Sequence, residues 1–135
     1  MKKRKIVLLL LLMLLAGCGG GKSTQNAESG GKASYTRISQ DEAKAMMAKD
    51  DGHVIVDVRR LDEYDSGHIP GAVLIPNEGI GKEKPQELPD TDQIILIYCR
   101  SGNRSAQAAQ KLADMGYTRV FDFGGIMTWT GDIEK

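Results

Sequence analysis

The stretch from Ile94 to Ser105 constrains the fold of this 135-residue chain more than any other. It reads Ile-Ile-Leu-Ile-Tyr-Cys-Arg-Ser-Gly-Asn-Arg-Ser, an apolar run that stops at a cysteine and continues as a polar, glycine-containing segment. Such a run is typical of a strand buried on both faces, and these strands belong to parallel sheets covered by helices. The residues that follow predict a helix beginning at Arg104, with Ala106, Ala109, Leu112 and Ala113 at core spacing.

Cys99 is therefore expected between the carboxyl end of a strand and the amino end of a helix. Unpaired N–H groups and the helix dipole at such a position stabilise an anion, either a thiolate or a bound oxyanion. Arg100 and Arg104 add positive charge close by. These features predict a reactive nucleophile. The alternative, a buried structural cysteine, does not require the Arg-flanked, glycine-containing loop that follows.

The amino terminus has the order of an export signal. Met1–Lys5 carries four positive charges and precedes a Leu-rich run, Ile6–Ala16, that is too short to span a bilayer. The tetrad Leu15-Ala16-Gly17-Cys18 resembles the lipobox of bacterial lipoproteins, in which the cysteine is acylated and becomes the new amino terminus. The resemblance implies removal of residues 1–17 and a lipid anchor at Cys18, which would hold the protein on the extracytoplasmic side of a membrane in the cell envelope. A plain secretory signal with a fortuitous cysteine is the alternative.

Removal of the signal changes the charge of the chain. The full sequence holds 18 basic and 18 acidic residues, and loss of the four amino-terminal cations leaves 14 against 18, which argues against a nucleic-acid partner. With Cys18 acylated, Cys99 has no intramolecular partner, and outside the cytoplasm a leftover thiol indicates a reactive group or an intermolecular disulfide. Residues 18–33 are polar and predict a flexible tether, whereas residues 34–135 have the usual size of one domain.

Predicted strands alternate with predicted helices in residues 34–135, which indicates an α/β fold with a parallel sheet. A Ser-x-x-Glu capping box at Ser39 marks the start of the first helix. The long connection from Asn77 to Asp92 is rich in Gly, Pro and charge. The other predicted elements are strands at Tyr35–Ile38, His53–Val58, Val73–Ile75 and Val120–Phe123, a first helix to about Lys49, a short helix at Leu61–Ser66, a helix end at Gly116, and a terminal helix bearing Trp129.

The segment Asp57-Val58-Arg59-Arg60 follows the second predicted strand. Its residues should lie at the same carboxyl edge of the sheet as Cys99, where open parallel sheets bind ligands. Arg59 is therefore a candidate substrate-binding residue. The alternative is structural, with Arg59 pairing with Asp57 only to hold the loops together.

Five short motifs occur in order along the predicted domain. They are Asp57-Val58-Arg59, Glu63-Tyr64, Gly67-His68-Ile69-Pro70-Gly71-Ala72, Tyr98-Cys99-Arg100-Ser101-Gly102-Asn103-Arg104-Ser105, and Gly124-Gly125-Ile126 with Trp129. Together they resemble the motifs of single-domain rhodanese-like sulfurtransferases. The resemblance implies a five-stranded parallel sheet with helices on both faces, in agreement with the alternation of elements.

The resemblance also implies an activity. Cys99 would take a sulfane sulfur from a small anionic donor such as thiosulfate and pass it, as a persulfide, to a thiol or cyanide acceptor. It implies substrate binding by the loop residues and a structural role for His68, with a general base as the alternative. Tyr64 and Trp129 are expected in the core, and no metal or cofactor is expected. A monomer is expected, since the sequence has no heptads. The implied substrate-binding residues are Arg100, Ser101, Gly102, Asn103, Arg104 and Ser105.

A cysteine in such a loop is also found in three other functional classes. Cysteine phosphatases place an arginine six positions after the cysteine to clamp a phosphate, whereas here position 105 is Ser and the arginine is Arg104. A thiol-dependent oxyanion reductase, such as an arsenate reductase, would use the same thiolate and remains open. A non-turnover sulfur-delivery or binding module for a partner protein also remains open, although the intact Cys99 motif favours catalysis.

Overall fold

The computed structural model describes residues 32–135, so the predicted signal peptide, Cys18 and most of the predicted tether lie outside the described residues. None of the helices in this part of the chain is both long and apolar enough to cross a membrane. The described elements are β1 (Thr36–Arg37), α1 (Gln40–Met47), β2 (Val54–Asp57), α2 (Leu61–Ser66), β3 (Val73–Leu74), β4 (Ile95–Cys99), α3 (Asn103–Asp114) and β5 (Val120–Gly125), with 3-10 turns at Asn77–Gly79 and Ile126–Thr128.

The five strands form one parallel sheet in the order β1-β5-β4-β2-β3, which confirms the predicted fold class. Strand β4 is central, and Ile95 pairs with Val54 on one side and with Val120 on the other. All five residues of β4 are buried, as its continuous apolar run predicted. The order of strands places the segments that follow β2, β4 and β5 side by side at the carboxyl edge.

Helices pack on both faces of the sheet. On one face α3 places Ala108, Ala109 and Leu112 against Ile95 and Ile97. On the other face the apolar cluster contains Ala43 of α1, Leu96, Tyr98 and Phe123, with Met46, Met47, Tyr64 and Trp129 packed against it. Cys99 lies in the layer under α3 because it shares one face of β4 with Ile95 and Ile97.

The helix termini follow the sequence closely. The capping box is present at α1, where Ser39 Oγ accepts from the Glu42 N–H at 3.1 Å and Glu42 Oε2 accepts from the Ser39 N–H at 2.7 Å. Helix α1 ends at Met47, two residues before the predicted end, and α3 begins at Asn103, one residue before the predicted start. Gly116 follows α3 with φ of +100°, the left-handed conformation that ends many helices.

The prediction of a terminal helix is wrong. Only a 3-10 turn, Ile126–Thr128, follows β5, because β5 runs on to Gly125 and the next residues include Thr128, Thr130 and Gly131, which are poor helix formers. Trp129 packs against Phe123 with ring centroids 5.7 Å apart. The tail then pairs with the turn after α2, where His68 and Glu134 exchange two backbone hydrogen bonds of 2.9 Å.

Candidate active site

A short loop joins β4 to α3 and bends over the sulfur of Cys99. Arg100, Ser101 and Gly102 are the only residues between the last residue of β4 and the first residue of α3. Gly102 is the N-cap residue with φ of +107°, a conformation that favours glycine, and its N–H donates to Cys99 Sγ at 3.0 Å. Residues 99–104 are called the Cys99 loop below.

Ser105, in the first turn of α3, lies beside the sulfur of Cys99. The Cys99 thiol donates to Ser105 Oγ at 3.5 Å, and Ser105 Oγ donates to the Gly102 carbonyl oxygen at 3.1 Å. Ser105 is fully buried and Cys99 is 1% exposed. Because a hydroxyl group can rotate to donate instead, Ser105 and the Gly102 N–H can both stabilise a negative charge on this sulfur.

Strand β5 supplies the opposite wall of the loop. Cys99 pairs with Gly125 after a break in the regular β4–β5 register, and the Met127 N–H donates to the Arg100 carbonyl oxygen at 3.2 Å. The backbones are so close that a Cβ at Gly125 would lie 2.2 Å from that carbonyl oxygen. Gly125 is therefore required for the close approach of β5 to the loop, a role that the sequence analysis did not assign.

Arg104 is held by a carboxylate. Its two terminal nitrogens donate to the two oxygens of Glu63 at 2.7 and 2.8 Å, and both side chains are less than one-third exposed. The hydrogen bonds from Arg104 lower the pKa of Glu63 to about 2, and the same bonds raise the pKa of Arg104. The ion pair ties α2 to the first turn of α3, so Arg104 is one member of a bidentate pair rather than a free cation.

Arg59 is buried behind the edge of the sheet. Its guanidinium donates to Asp57 at 2.7 to 3.0 Å and to the Gly67 carbonyl oxygen at 2.7 Å, and the Tyr98 hydroxyl donates to the same carboxylate at 2.7 Å. Asp57 is fully buried and Arg59 is 5% exposed. Burial raises the pKa of Tyr98, and its hydrogen bond to Asp57 adds to that rise. These contacts support the structural interpretation of Arg59.

His68 is also placed in structural contacts. Its ring stacks on Tyr64 with centroids 3.8 Å apart and planes 4° from parallel. The two ring nitrogens lie 3.0 Å from the Tyr64 carbonyl oxygen and 3.2 Å from Glu134 Oε1. With both nitrogens engaged, His68 fastens the carboxyl-terminal tail to the turn after α2, in agreement with the structural role that the resemblance implied.

The structure also places a cation beside the loop that the sequence analysis missed. Arg37 is the last residue of β1, and its Nη2 lies 3.0 Å from the position of a Cβ at Gly102. Its side chain is 59% exposed and lies 3.7 Å from Asp122 Oδ2. Only the pairing of β1 with β5 brings Arg37 to this edge, and no local pattern signals that pairing. Arg100, Ser101 and Asn103 are exposed on the loop itself.

Comparison with known proteins identifies the family. The model of the family described as "Rhodanese-like domain" matches residues 39–132, which include β2 to β5, the Cys99 loop and Trp129. The chain belongs to this rhodanese-like family. Among curated relatives, the thiosulfate sulfurtransferase GlpE of Pseudomonas entomophila is 34% identical over 96 residues, covering 70% of this chain and 84% of that protein.

A second curated relative and a solved structure agree with this assignment. "Putative sulfur carrier protein YrkF" of Bacillus subtilis is 37% identical over 117 residues, covering 86% of this chain, and the chain spans 60% of the length of YrkF. A solved structure described as "rhodanese with anions from E. coli" is 31% identical, with a TM-score of 0.57, and the match covers 62% of this chain and 98% of that one. The relatives of this rhodanese-like domain thus include a protein named as a thiosulfate sulfurtransferase and one whose name describes a sulfur carrier.

The Arg104–Glu63 pair leads to a prediction about acid stability. Because the pKa of Glu63 in the folded protein, about 2, lies below its ordinary value of 4.5, the pair stabilises the fold above about pH 4.5 and loses this contribution as the pH falls toward 2. The pair is partly screened by solvent, so we expect the isosteric substitution Glu63→Gln to lower the free energy of unfolding by about 2 kcal/mol at pH 7 and by much less at pH 2.5.

Urea unfolding at both pH values measures this difference. The substitution Glu78→Gln is the matched control, because Glu78 is exposed and no salt bridge involving it occurs among the described residues. An equal loss for Glu63→Gln at pH 7 and pH 2.5 would show that the ion pair does not account for the effect.

Proposed function

We propose that this protein is a membrane-tethered, extracytoplasmic sulfurtransferase that carries a sulfane sulfur as a persulfide on Cys99. The observation that carries the proposal is the position of the sulfur at the amino end of α3, where the Gly102 N–H donates to it at 3.0 Å and Ser105 lies at 3.5 Å. These donors suit a thiolate and its persulfide equally well, because both are anions centred on sulfur. The relatives named thiosulfate sulfurtransferase support this chemistry.

In the first step the Cys99 thiolate attacks the outer sulfur of thiosulfate. A new S–S bond forms to Cys99, the S–S bond of thiosulfate breaks, and sulfite leaves with the electron pair of that bond. The exposed Arg100 attracts the dianion, and Arg104 steadies the leaving sulfite through the N–H groups that Glu63 does not hold. The step requires no external oxidant or reductant.

In the second step an acceptor nucleophile attacks the outer sulfur of the Cys99 persulfide. With cyanide, a C–S bond forms to the outer sulfur and the S–S bond breaks. Thiocyanate is released, and the electron pair of the broken bond returns to Cys99 as a thiolate. The Gly102 N–H and the Ser105 hydroxyl stabilise the charge that returns to the cysteine sulfur. Thiosulfate therefore loads the enzyme, and the acceptor regenerates it.

The proposed location rests on the sequence of the amino terminus. Acylation of Cys18 would anchor the chain, and residues 18–33 would hold the folded domain a short distance from the lipid surface. The structure describes the domain that would face the extracytoplasmic space, beginning at residue 32.

Sulfur delivery to a partner protein is a second candidate function. It is favoured by the burial of Cys99, which is 1% exposed and therefore accessible only to a slender or well-positioned acceptor. The relative named as a sulfur carrier is consistent with this role. Loading from thiosulfate with negligible turnover on small acceptors would distinguish delivery from ordinary catalysis.

Mass spectrometry of residues 32–135, which hold the complete sheet and both apolar clusters, tests the proposal. Cys99 is the only cysteine in this segment, so a mass gain of one sulfur after treatment with thiosulfate is assigned without digestion. We expect cyanide to remove that sulfur as thiocyanate, and we expect the Cys99→Ser variant to show neither event. Failure of thiosulfate and of polysulfide to load the wild-type domain would refute sulfur transfer and favour oxyanion reduction, to be tested with arsenate and a thiol reductant.

A further inference from the structure

Exposed side chains surround the Cys99 loop on three sides. Arg60 and Leu61 lie where β2 meets α2, Met127 follows β5, Arg37 ends β1, and Arg100 lies on the loop itself. Contacts already described join these sides to the loop: the Glu63–Arg104 pair holds α2, the Met127 N–H binds the Arg100 carbonyl oxygen, and Arg37 lies against Gly102. These five residues, Arg37, Arg60, Leu61, Arg100 and Met127, are called the rim below.

The rim concentrates the exposed apolar surface of the domain. Among residues 32–135 three large apolar side chains are exposed, and the two most exposed belong to the rim: Leu61 at 61% and Met127 at 67%. The third is Ile133 at 48%, in the carboxyl-terminal tail. The two rim residues lie on opposite sides of the loop, because β2 and β5 flank β4 in the sheet. These two solvated apolar side chains are available for contact with the surface of a partner on either side of the loop.

The rim also concentrates positive charge. Of the six arginines in residues 32–135, Arg119 alone lies away from the carboxyl edge of the sheet, just before β5 begins. Three arginines, Arg37, Arg60 and Arg100, are exposed on the rim, whereas Arg59 and Arg104 are neutralised by Asp57 and Glu63. The exposed arginines of the rim are paired at longer distances: Arg60 lies 3.5 Å from the exposed Asp62 and 3.7 Å from Glu63, and Arg37 lies 3.7 Å from the buried Asp122.

We infer that the rim is the docking surface for an acidic protein partner that presents a cysteine thiol as the sulfur acceptor. The inference rests on the proposed function and names its acceptor class. Arginine and exposed methionine and leucine suit a surface that carries carboxylates around an apolar centre. Cys99 itself is 1% exposed, so docking against the rim would bring the acceptor thiol to the outer sulfur of the Cys99 persulfide.

The transfer is balanced without a further reactant. The partner thiolate attacks the outer sulfur of the Cys99 persulfide, an S–S bond forms on the partner, and the S–S bond to Cys99 breaks with its electron pair returning to Cys99 as a thiolate. The product is a partner persulfide. The rim would raise the effective concentration of the acceptor thiol near the persulfide, because docking converts an encounter in solution into a reaction within a complex.

An anionic membrane surface is the other macromolecule that a basic and apolar rim would attract. A protein is favoured because the rim flanks the reactive loop on three sides. Lipid head groups bound there would cover the Cys99 sulfur, whereas an acceptor cysteine at the centre of a protein surface would meet it. The membrane is accordingly one outcome of the test.

The test uses two synthetic peptides of about a dozen residues, each with one central cysteine between two leucines. One peptide is flanked by glutamates and the other by lysines. Residues 32–135 are first loaded with thiosulfate, and discharge of the Cys99 persulfide to each peptide is followed by mass spectrometry. At low ionic strength we expect discharge to the acidic peptide to be at least about 10-fold faster, and the preference to disappear in about 0.5 M salt.

Two pairs of variants assign the preference to the rim. Arg60→Gln is expected to lower the rate with the acidic peptide about 3-fold to 10-fold, whereas Arg119→Gln, a matched exposed arginine at the far end of β5, leaves it unchanged. The double variant Leu61→Ser with Met127→Ser lowers the rate with both peptides, whereas Ile133→Ser does not. Discharge to cyanide stays within about twofold of wild type in all of these variants, because a small acceptor needs no docking surface.

The outcomes separate this inference from the proposed function. Equal rates with the two peptides, or equal effects of Arg60→Gln and Arg119→Gln, would overturn the inference that the rim is a docking surface. Sulfur transfer would still stand if thiosulfate loaded the domain and cyanide discharged it. Binding of the loaded domain to phosphatidylglycerol-containing vesicles that Arg60→Gln abolishes, with no peptide preference, would assign the rim to the membrane. Absence of thiosulfate loading would instead remove the proposed function itself.

Discussion

Substitution Gly125→Ala is expected to slow thiosulfate loading of Cys99 by about 100-fold or more. The new Cβ would lie 2.2 Å from the Arg100 carbonyl oxygen and 2.7 Å from Ser101 Cα, and both are backbone atoms that cannot rotate away. The loop and β5 must separate by about 1 Å, and displacements of that size at a reacting group cost rates of this order. Since Gly125 pairs with Cys99, the shift acts directly on the residue that carries the sulfur.

Gly79→Ala is the matched control for this substitution. A Cβ at Gly79 would have no heavy atom within 4 Å, and the backbone there is not left-handed, so the variant should load sulfur at the wild-type rate. Loading rates are measured by mass spectrometry, and urea unfolding of the same samples separates a displaced loop from a domain that has lost its fold. Wild-type loading by Gly125→Ala would mean that the close approach of β5 does not shape the loop.

Substitution Asp57→Ala is expected to lower the free energy of unfolding by about 3–5 kcal/mol. The Asp57 carboxylate is fully buried, and it is the counter-charge of Arg59, which is itself only 5% exposed. Removal of one partner leaves a buried charge without compensation, which is among the most destabilising single changes in proteins. The Tyr98 hydroxyl also loses its acceptor at 2.7 Å.

Asp62→Ala is the control, because Asp62 forms a 3.5 Å ion pair with Arg60 in which both side chains are mostly exposed. Such surface pairs contribute at most about 1 kcal/mol. Urea unfolding at pH 7 measures both variants. In the double variant Asp57→Ala with Arg59→Leu, removal of the unpaired charge should restore part of the lost stability. A cost for Asp57→Ala no larger than for Asp62→Ala would contradict the buried-pair interpretation.

The central strand and its helix could be predicted because their signals are local. The apolar run before Cys99 and the alanine spacing after it are contained within about two dozen residues, and the structure places β4 and α3 there to within one residue. The capping box at Ser39 was equally local and is present in the structure. Where a short segment determines its own hydrogen bonds and buried face, sequence reasoning identified it correctly.

The charged contacts of the site could not be predicted, because they join distant segments. Arg104 was interpreted as an anion-binding residue from its position in the loop, but its bidentate partner Glu63 lies on another helix. The close approach of Gly125 depends on the β4–β5 register, and the position of Arg37 depends on the pairing of β1 with β5. Arg59 differs, since its partner Asp57 lies two residues away and the sequence did raise that pairing as an alternative.

The pairing of β1 with β5 determines the order in which this domain can be completed. Thr36 lies beside Phe121, so the first strand of the described chain has no partner until the last one has been synthesised. Until then the fully buried β4 has an unpaired edge on the side that β5 will occupy. A nascent chain that stops before Val120 therefore exposes the apolar strand β4, which can associate with other chains. Non-local parallel pairing of this kind is also intrinsically slow. The sheet of this domain can therefore be completed only after Val120–Gly125 has been synthesised.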